Sequence, residues 1–189
     1  MFAFIHLLGA WLLGKGYEHF RKTQLSHTAW FFLLFGAILP DVDFLFDWTL
    51  ETEFHRTFTH SLLFLLLAPL LLYVIYNYML NKFKVNQHKS RLKSKAGSMM
   101  ESRLHSLALG AGILSHLLLD MIVGHGVPLF WPSLLHFTFT HIAYFNPAAP
   151  SFLHGNPETL QKVLKLAIID MALGTTWLFY LWYRKKLRF

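Results

Sequence analysis

The sequence predicts an all-α fold, an integral membrane bundle of about four to five hydrophobic helices in a single domain over residues 1–189. Three observations carry this. Of the 189 residues, 54% are hydrophobic and only 14% charged, against roughly 25% charged in soluble domains. Residues 61–80, SLLFLLLAPLLLYVIYNYML, carry no charge and as a helix are about one bilayer long. The basic residues fall in alternate connections between apolar segments, the asymmetry of a multi-pass membrane protein.

The first apolar segment, 2–14, is too short to span alone and reads as an interfacial or partly buried helix. It has no basic lead-in and no A-x-A-like site, so it does not read as a cleaved signal peptide. The second, 29–46, is apolar until Pro40 and then carries Asp41 and Asp43. The third is 61–80, where Pro69 is tolerated as in other membrane helices. The fourth and fifth are 104–123 and 166–183, the last ending in Trp182 and Tyr183 as an interfacial belt.

Fourteen of the seventeen Lys and Arg lie in three places: Lys15, Arg21 and Lys22; the stretch 82–103; and the C-terminal Arg184, Lys185, Lys186 and Arg188. Placing all three in the cytoplasm makes 82–103 a basic cytoplasmic loop and 124–165 an extracytoplasmic one. The +7 net charge is thereby explained by topology and lipid contact. Nucleic acid is not expected as a partner, because no aromatics interleave these basic residues for base stacking. The absence of cysteine excludes a disulfide framework and any thiolate metal site.

This topology brings unrelated polar residues to one depth. His6, Asp41, Asp43, His60, His116, Asp120 and Asp170 all fall in the extracytoplasmic part of the membrane. Ionisable groups there are costly and normally serve a function. Each is ambiguous alone. His116 and Asp120, one turn apart on one helix face, also fit an interhelical hydrogen bond; Asp41 also fits a turn cap; His6 also fits a satisfied apolar-face histidine. Together they form a His/carboxylate set suited to zinc, manganese or iron. H-E-x-x-H, G-x-S-x-G, P-loop and G-x-G-x-x-G motifs are all absent, so this set is the chemistry the chain offers. The repeat-like HFTFTH (136–141) reads as loop composition. The aromatic stretch from LFWP (129–132) to Phe145 reads as an interfacial segment beside a lipid-facing entrance.

His6, LPDVD (39–43), HRTFTHS (55–61), SHLLLD (115–120) and GHGVPLFWP (124–132) together resemble the YdjM-like family of LexA-regulated inner-membrane proteins, described as metal-dependent hydrolases. The resemblance covers roughly residues 1–145, with Thr57 standing where glycine is expected. A more distant likeness, by spacing alone, is to zinc-dependent phospholipase C. It implies Asp41, His55, His116 and Asp120 around one metal, with His6 and a bridging Asp120 at a second. Asp43 then serves as ligand, as partner of a ligating histidine, or as general base. His60 is either catalytic or a ligand in place of His55.

The function expected is a membrane-bound metal-dependent hydrolase of the inner membrane, with zinc as cofactor and its site facing the extracytoplasmic side. Its substrate would be a phosphoester-type bond in a membrane lipid or lipid-linked molecule. The alternatives are a transporter or ion pathway, which needs polar residues through the full depth of the bundle, and a non-catalytic protein with a structural His/Asp metal site.

Overall fold

The computed structural model describes residues 3–43, 57–84, 91–123, 126–133, 135–139 and 142–144, with 172–173, 176–177, 180 and 183 from the last apolar segment. Four long helices account for most of it. Helix α1 is Ala3–Arg21 and α2 is His27–Ile38. The turn before α2 is closed by Ser26, whose hydroxyl accepts the Ala29 N–H at 3.2 Å, an N-cap of the usual kind. Helix α2 stops at Pro40, which has no N–H with which to continue the ladder. A 3-10 turn, Pro40–Val42, follows.

A second 3-10 turn, Phe58–His60, leads into α3, Leu62–Lys84. Ser61 caps α3, its hydroxyl accepting the Phe64 N–H at 3.2 Å and donating to the Phe58 carbonyl at 2.6 Å. Helix α4 runs Arg91–Val123, about 50 Å at 1.5 Å per residue. Among the described residues, α3 and α4 each hold a stretch long and apolar enough to cross a membrane, Leu62–Met79 and Met99–Ile122.

The basic stretch 82–103 departs from the loop expected of it. Helix α3 extends through Lys84 and α4 already begins at Arg91. Lys, Arg, Leu, Met and Ala are good helix formers whether or not they lie in lipid, so a cluster of basic residues does not end the helix. The 124–165 stretch contains a small antiparallel hairpin, β1 (Leu135–Phe137) with β2 (Ile142–Tyr144), Leu135 opposite Tyr144. The fifth apolar segment lies largely outside the described residues. Its Trp177 packs edge-on against Phe4 and Trp11 of α1.

Helices α2 and α4 lie backbone to backbone. A Cβ on Gly112 would sit 2.1 Å from the Leu33 carbonyl oxygen, and one on Gly36 would sit 2.3 Å from that of Leu109. Small residues at such crossings are how membrane helices gain contact without a hydrophobic driving force. Around this seam Ala10, Ala29, Trp30, Leu33, Ala37 and Ala108 form one buried cluster, and Leu109, Ile113, Leu117 and Val127 a second. Helix α3 covers the second cluster with Phe64, Leu65, Ala68 and Leu72. Its other face shows Leu66, Leu70, Leu71 and Val74, each more than half exposed, as a lipid-facing surface does.

Candidate metal centre

Helices α1 and α3 begin, and α2 and α4 end, at the same end of the bundle, and there the polar residues meet. His6 comes from the first turns of α1, Asp41 and Asp43 from the turn that Pro40 starts, His60 from the turn before α3, and His116 and Asp120 from adjacent turns of α4. His6, His60, His116 and Asp120 are all at most 2% exposed, and Asp43 is 4% exposed. Burial of this many ionisable side chains in an apolar bundle is expensive unless they compensate one another or hold an ion.

Their atoms converge. His60 Nε2 lies 3.2 Å from His116 Nε2. Asp41 Oδ1 stands 3.5 Å from the first and 3.6 Å from the second. Asp120 Oδ2 repeats those distances, 3.5 and 3.6 Å. Two triangles of donor atoms therefore share the two-histidine edge. Asp120 reaches the other way as well, its Oδ1 3.4 Å from His6 Nε2, and the His6 ring stacks on His116 with centroids 3.8 Å apart. Two sets, Asp41 with His60 and His116, and His6 with His116 and Asp120, could each hold a metal ion.

Hydrogen bonding fixes how His116 faces this cluster. Its Nδ1 is 2.7 Å from the Ala37 carbonyl oxygen, which can only accept, so Nδ1 carries a hydrogen and, in the neutral imidazole, Nε2 presents a lone pair. That outer bond is what orients most metal-binding histidines. Both Asp120 oxygens and both His6 nitrogens are buried with no hydrogen-bond partner among the described residues, although buried polar groups nearly always have one. A cation between them would satisfy these atoms.

Asp43 sits behind His60. Its Oδ2 is 3.5 Å from Nδ1, and the Thr59 hydroxyl donates to that same oxygen while lying 3.1 Å from Nδ1. The two 3-10 turns lie beyond the helical stretches long enough to cross a membrane, Leu62–Met79 and Met99–Ile122. Burial alone would raise the Asp41 pKa, but the adjacent His60 and His116 imidazoles hold it down at about 2. Burial would lower that of His60, and the adjacent carboxylates of Asp41 and Asp43 raise it instead.

His6, Asp41, Asp43, His60, His116 and Asp120 are thus brought together as the depth argument expects. His55, His125 and Asp170 lie outside the described residues. The Ala37 carbonyl and the Thr59 hydroxyl were not expected in these roles; a backbone oxygen leaves no trace in sequence, and Thr59 reads equally well as a helix cap. At the opposite end of the bundle Ser102, His105 and Ser106 form a second buried polar layer against Asn77 and Tyr76.

No curated protein and no solved structure matches the chain, and the likeness to zinc-dependent phospholipase C gains no support. A family model described as YdjM inner membrane protein matches residues 1–186, well beyond the stretch on which the motif resemblance rests. On that match, nearly the whole length of the sequence, the chain belongs to the YdjM inner membrane protein family.

Proposed function

We propose that the chain is a multi-pass, metal-dependent hydrolase whose site, built from His60 and His116 with Asp41 and Asp120, faces the extracytoplasmic side. The pair of donor triangles carries this reading. A cation about 2.0–2.1 Å from tetrahedral N and O donors sets those donors about 3.3–3.4 Å apart, and the triangle edges are 3.2–3.6 Å. Zinc suits this mixed nitrogen and oxygen set best, with manganese and iron next. The orientation rests on the basic residues, which gather at the far end of the helices.

A bound divalent ion would supply water of lowered pKa, near about 7, and would withdraw charge from the bond being cleaved. The protein's own groups do the rest. His116, held through Nδ1, points an unprotonated Nε2 at the cluster. Asp41, with 19% of its side chain exposed against 5% or less for Asp43, His60 and Asp120, stands at the mouth and meets whatever enters. Asp120 spans two positions, Oδ2 toward the triangle and Oδ1 toward His6, which leaves room for a second ion of the kind that phosphoester-cleaving sites use.

The substrate class follows from the surroundings. Phe130, Trp131 and Phe139 are 40–61% exposed on the segment that folds over this end, where Leu129 accepts from the Leu62 N–H and the Phe139 N–H donates to Met121. Exposed aromatics at the end of membrane-length helices mark the lipid interface, so a phosphoester-type bond in a lipid or lipid-linked substrate fits the site. Transport fits less well, because buried Leu109 and Ile113 separate the polar layer at His105 from the cluster at His116.

Protein in nanodiscs should hydrolyse phospholipids or a generic phosphodiester in a chelator-sensitive way. Asp120→Asn should abolish turnover while helical content persists. Turnover indifferent to both chelator and Asp120→Asn would overturn the reading.

A further inference from the structure

We propose that Thr59 is a positioning residue that, with Asp43 behind it, holds His60 in the Nδ1–H tautomer and so keeps its Nε2 unprotonated for a divalent metal. The consequence for metal rests on the function proposed above; the tautomer rests on geometry alone.

For a neutral His60 beside an ionised Asp43, the Thr59 contacts fit one hydrogen-bond assignment. Asp43 Oδ2 and His60 Nδ1 are 3.5 Å apart, beyond the usual N–H···O range. The Thr59 hydroxyl lies between them, donating to Asp43 and 3.1 Å from Nδ1. An ionised carboxylate only accepts, and a hydroxyl has a single hydrogen to give. Once Thr59 spends that hydrogen on Asp43, it can meet Nδ1 only as an acceptor, so the ring hydrogen sits on Nδ1. His116 reaches the same state through the Ala37 carbonyl. In their neutral forms the two imidazoles thus turn their Nε2 atoms toward each other, 3.2 Å apart, an arrangement that a cation beside them would stabilise.

Thr59 is partly exposed and adjoins a donor instead of touching the cluster, so it acts through His60. In an unhindered imidazole the other tautomer, with hydrogen on Nε2, would block the donor atom. Loss of such an outer partner typically weakens metal binding about 10–100-fold.

The test uses the full chain in detergent or nanodiscs and two measurements. Zinc affinity is read by chelator competition. The His60 tautomer is read by nitrogen-15 NMR of the metal-free protein at a pH where its imidazoles are neutral, with the His60 signal assigned by its absence in His60→Gln. Thr59→Val, which removes the hydroxyl at nearly constant shape, should weaken zinc by about 10–100-fold and mix the tautomers. Thr59→Ser should keep both close to wild type. If Thr59→Val does not fold, Thr59→Ala is read the same way. A Thr59→Val protein with wild-type zinc affinity and His60 still in the Nδ1–H form would overturn the proposal. Wild-type protein that binds no zinc would remove the metal reading, and the tautomer comparison would then decide the positioning claim by itself.

Discussion

Replacing Gly112 by alanine places one methyl group where the structure has no room for it. The new Cβ would lie 2.1 Å from the Leu33 carbonyl oxygen, 2.9 Å from the Ala37 nitrogen and 3.0 Å from the Gly36 carbonyl carbon. Every near neighbour is backbone of α2, so no side chain can turn aside, and the helices must part by about 1 Å to reach a tolerable contact. The site feels that movement directly. Ala37, whose nitrogen is one of the atoms struck, supplies the carbonyl that holds His116 Nδ1 at 2.7 Å, and Asp41 follows four residues later on the same strand of chain. A shift of about 1 Å stretches the His116 bond past hydrogen-bonding range and opens the Asp41–His116 edge. Gly112→Ala should therefore cost about 1–3 kcal/mol of stability, as overpacking does, and about 10-fold or more in zinc affinity. Thermal melting in nanodiscs and chelator competition measure the two effects. A variant with the wild-type melting temperature and zinc affinity would refute the close α2–α4 seam and its coupling to the site.

Two further perturbations test the surroundings. Leu70 is 55% exposed in the middle of α3; Leu70→Lys should cost about 3 kcal/mol if that face meets lipid and almost nothing if it meets water, which membrane-inserted yield distinguishes. Glu18 accepts from Lys15 Nζ at 2.7 Å, Leu25 N at 3.0 Å and Trp30 Nε1 at 3.0 Å, tying α1 to α2 at the end away from the metal centre. Burial would raise its pKa, and those three donors lower it instead. A depressed carboxyl pKa contributes stability above the unfolded value and loses it as pH falls through the folded one. Wild type should thus lose more thermal stability than Glu18→Gln on acidification from about pH 5 to about pH 3; equal losses would exclude the clamp.

What was legible in the sequence was cost. His6, Asp41, His60, His116 and Asp120 stand out because ionisable groups in apolar segments are expensive, and the positions of Lys and Arg set them all at one depth. A spacing of four also puts His116 and Asp120 on one helix face without further information. Pairings between helices were not legible. Nothing in LPDVD says that Asp43 lies behind His60 while Asp41 lies in front, since one 3-10 turn swings the two side chains apart. Gly36 and Gly112 look like ordinary small residues until the α2–α4 register sets them opposite each other. Glu18 looks like a surface charge, although its three partners come from three places in the chain. The 91–103 stretch was misleading because its Lys, Arg, Leu, Met and Ala residues carry a helix as readily as an apolar run does. That same misreading hid Ser102, buried at the inner end of the bundle.

The metal content of the full-length protein tests the central claim most directly. Purified without chelator, wild type should carry at least one zinc, manganese or iron ion per chain by elemental analysis, and Asp120→Asn, folded and inserted alike, should carry markedly less. Wild-type protein free of all three metals, and unable to take up any of them on titration, would contradict the account.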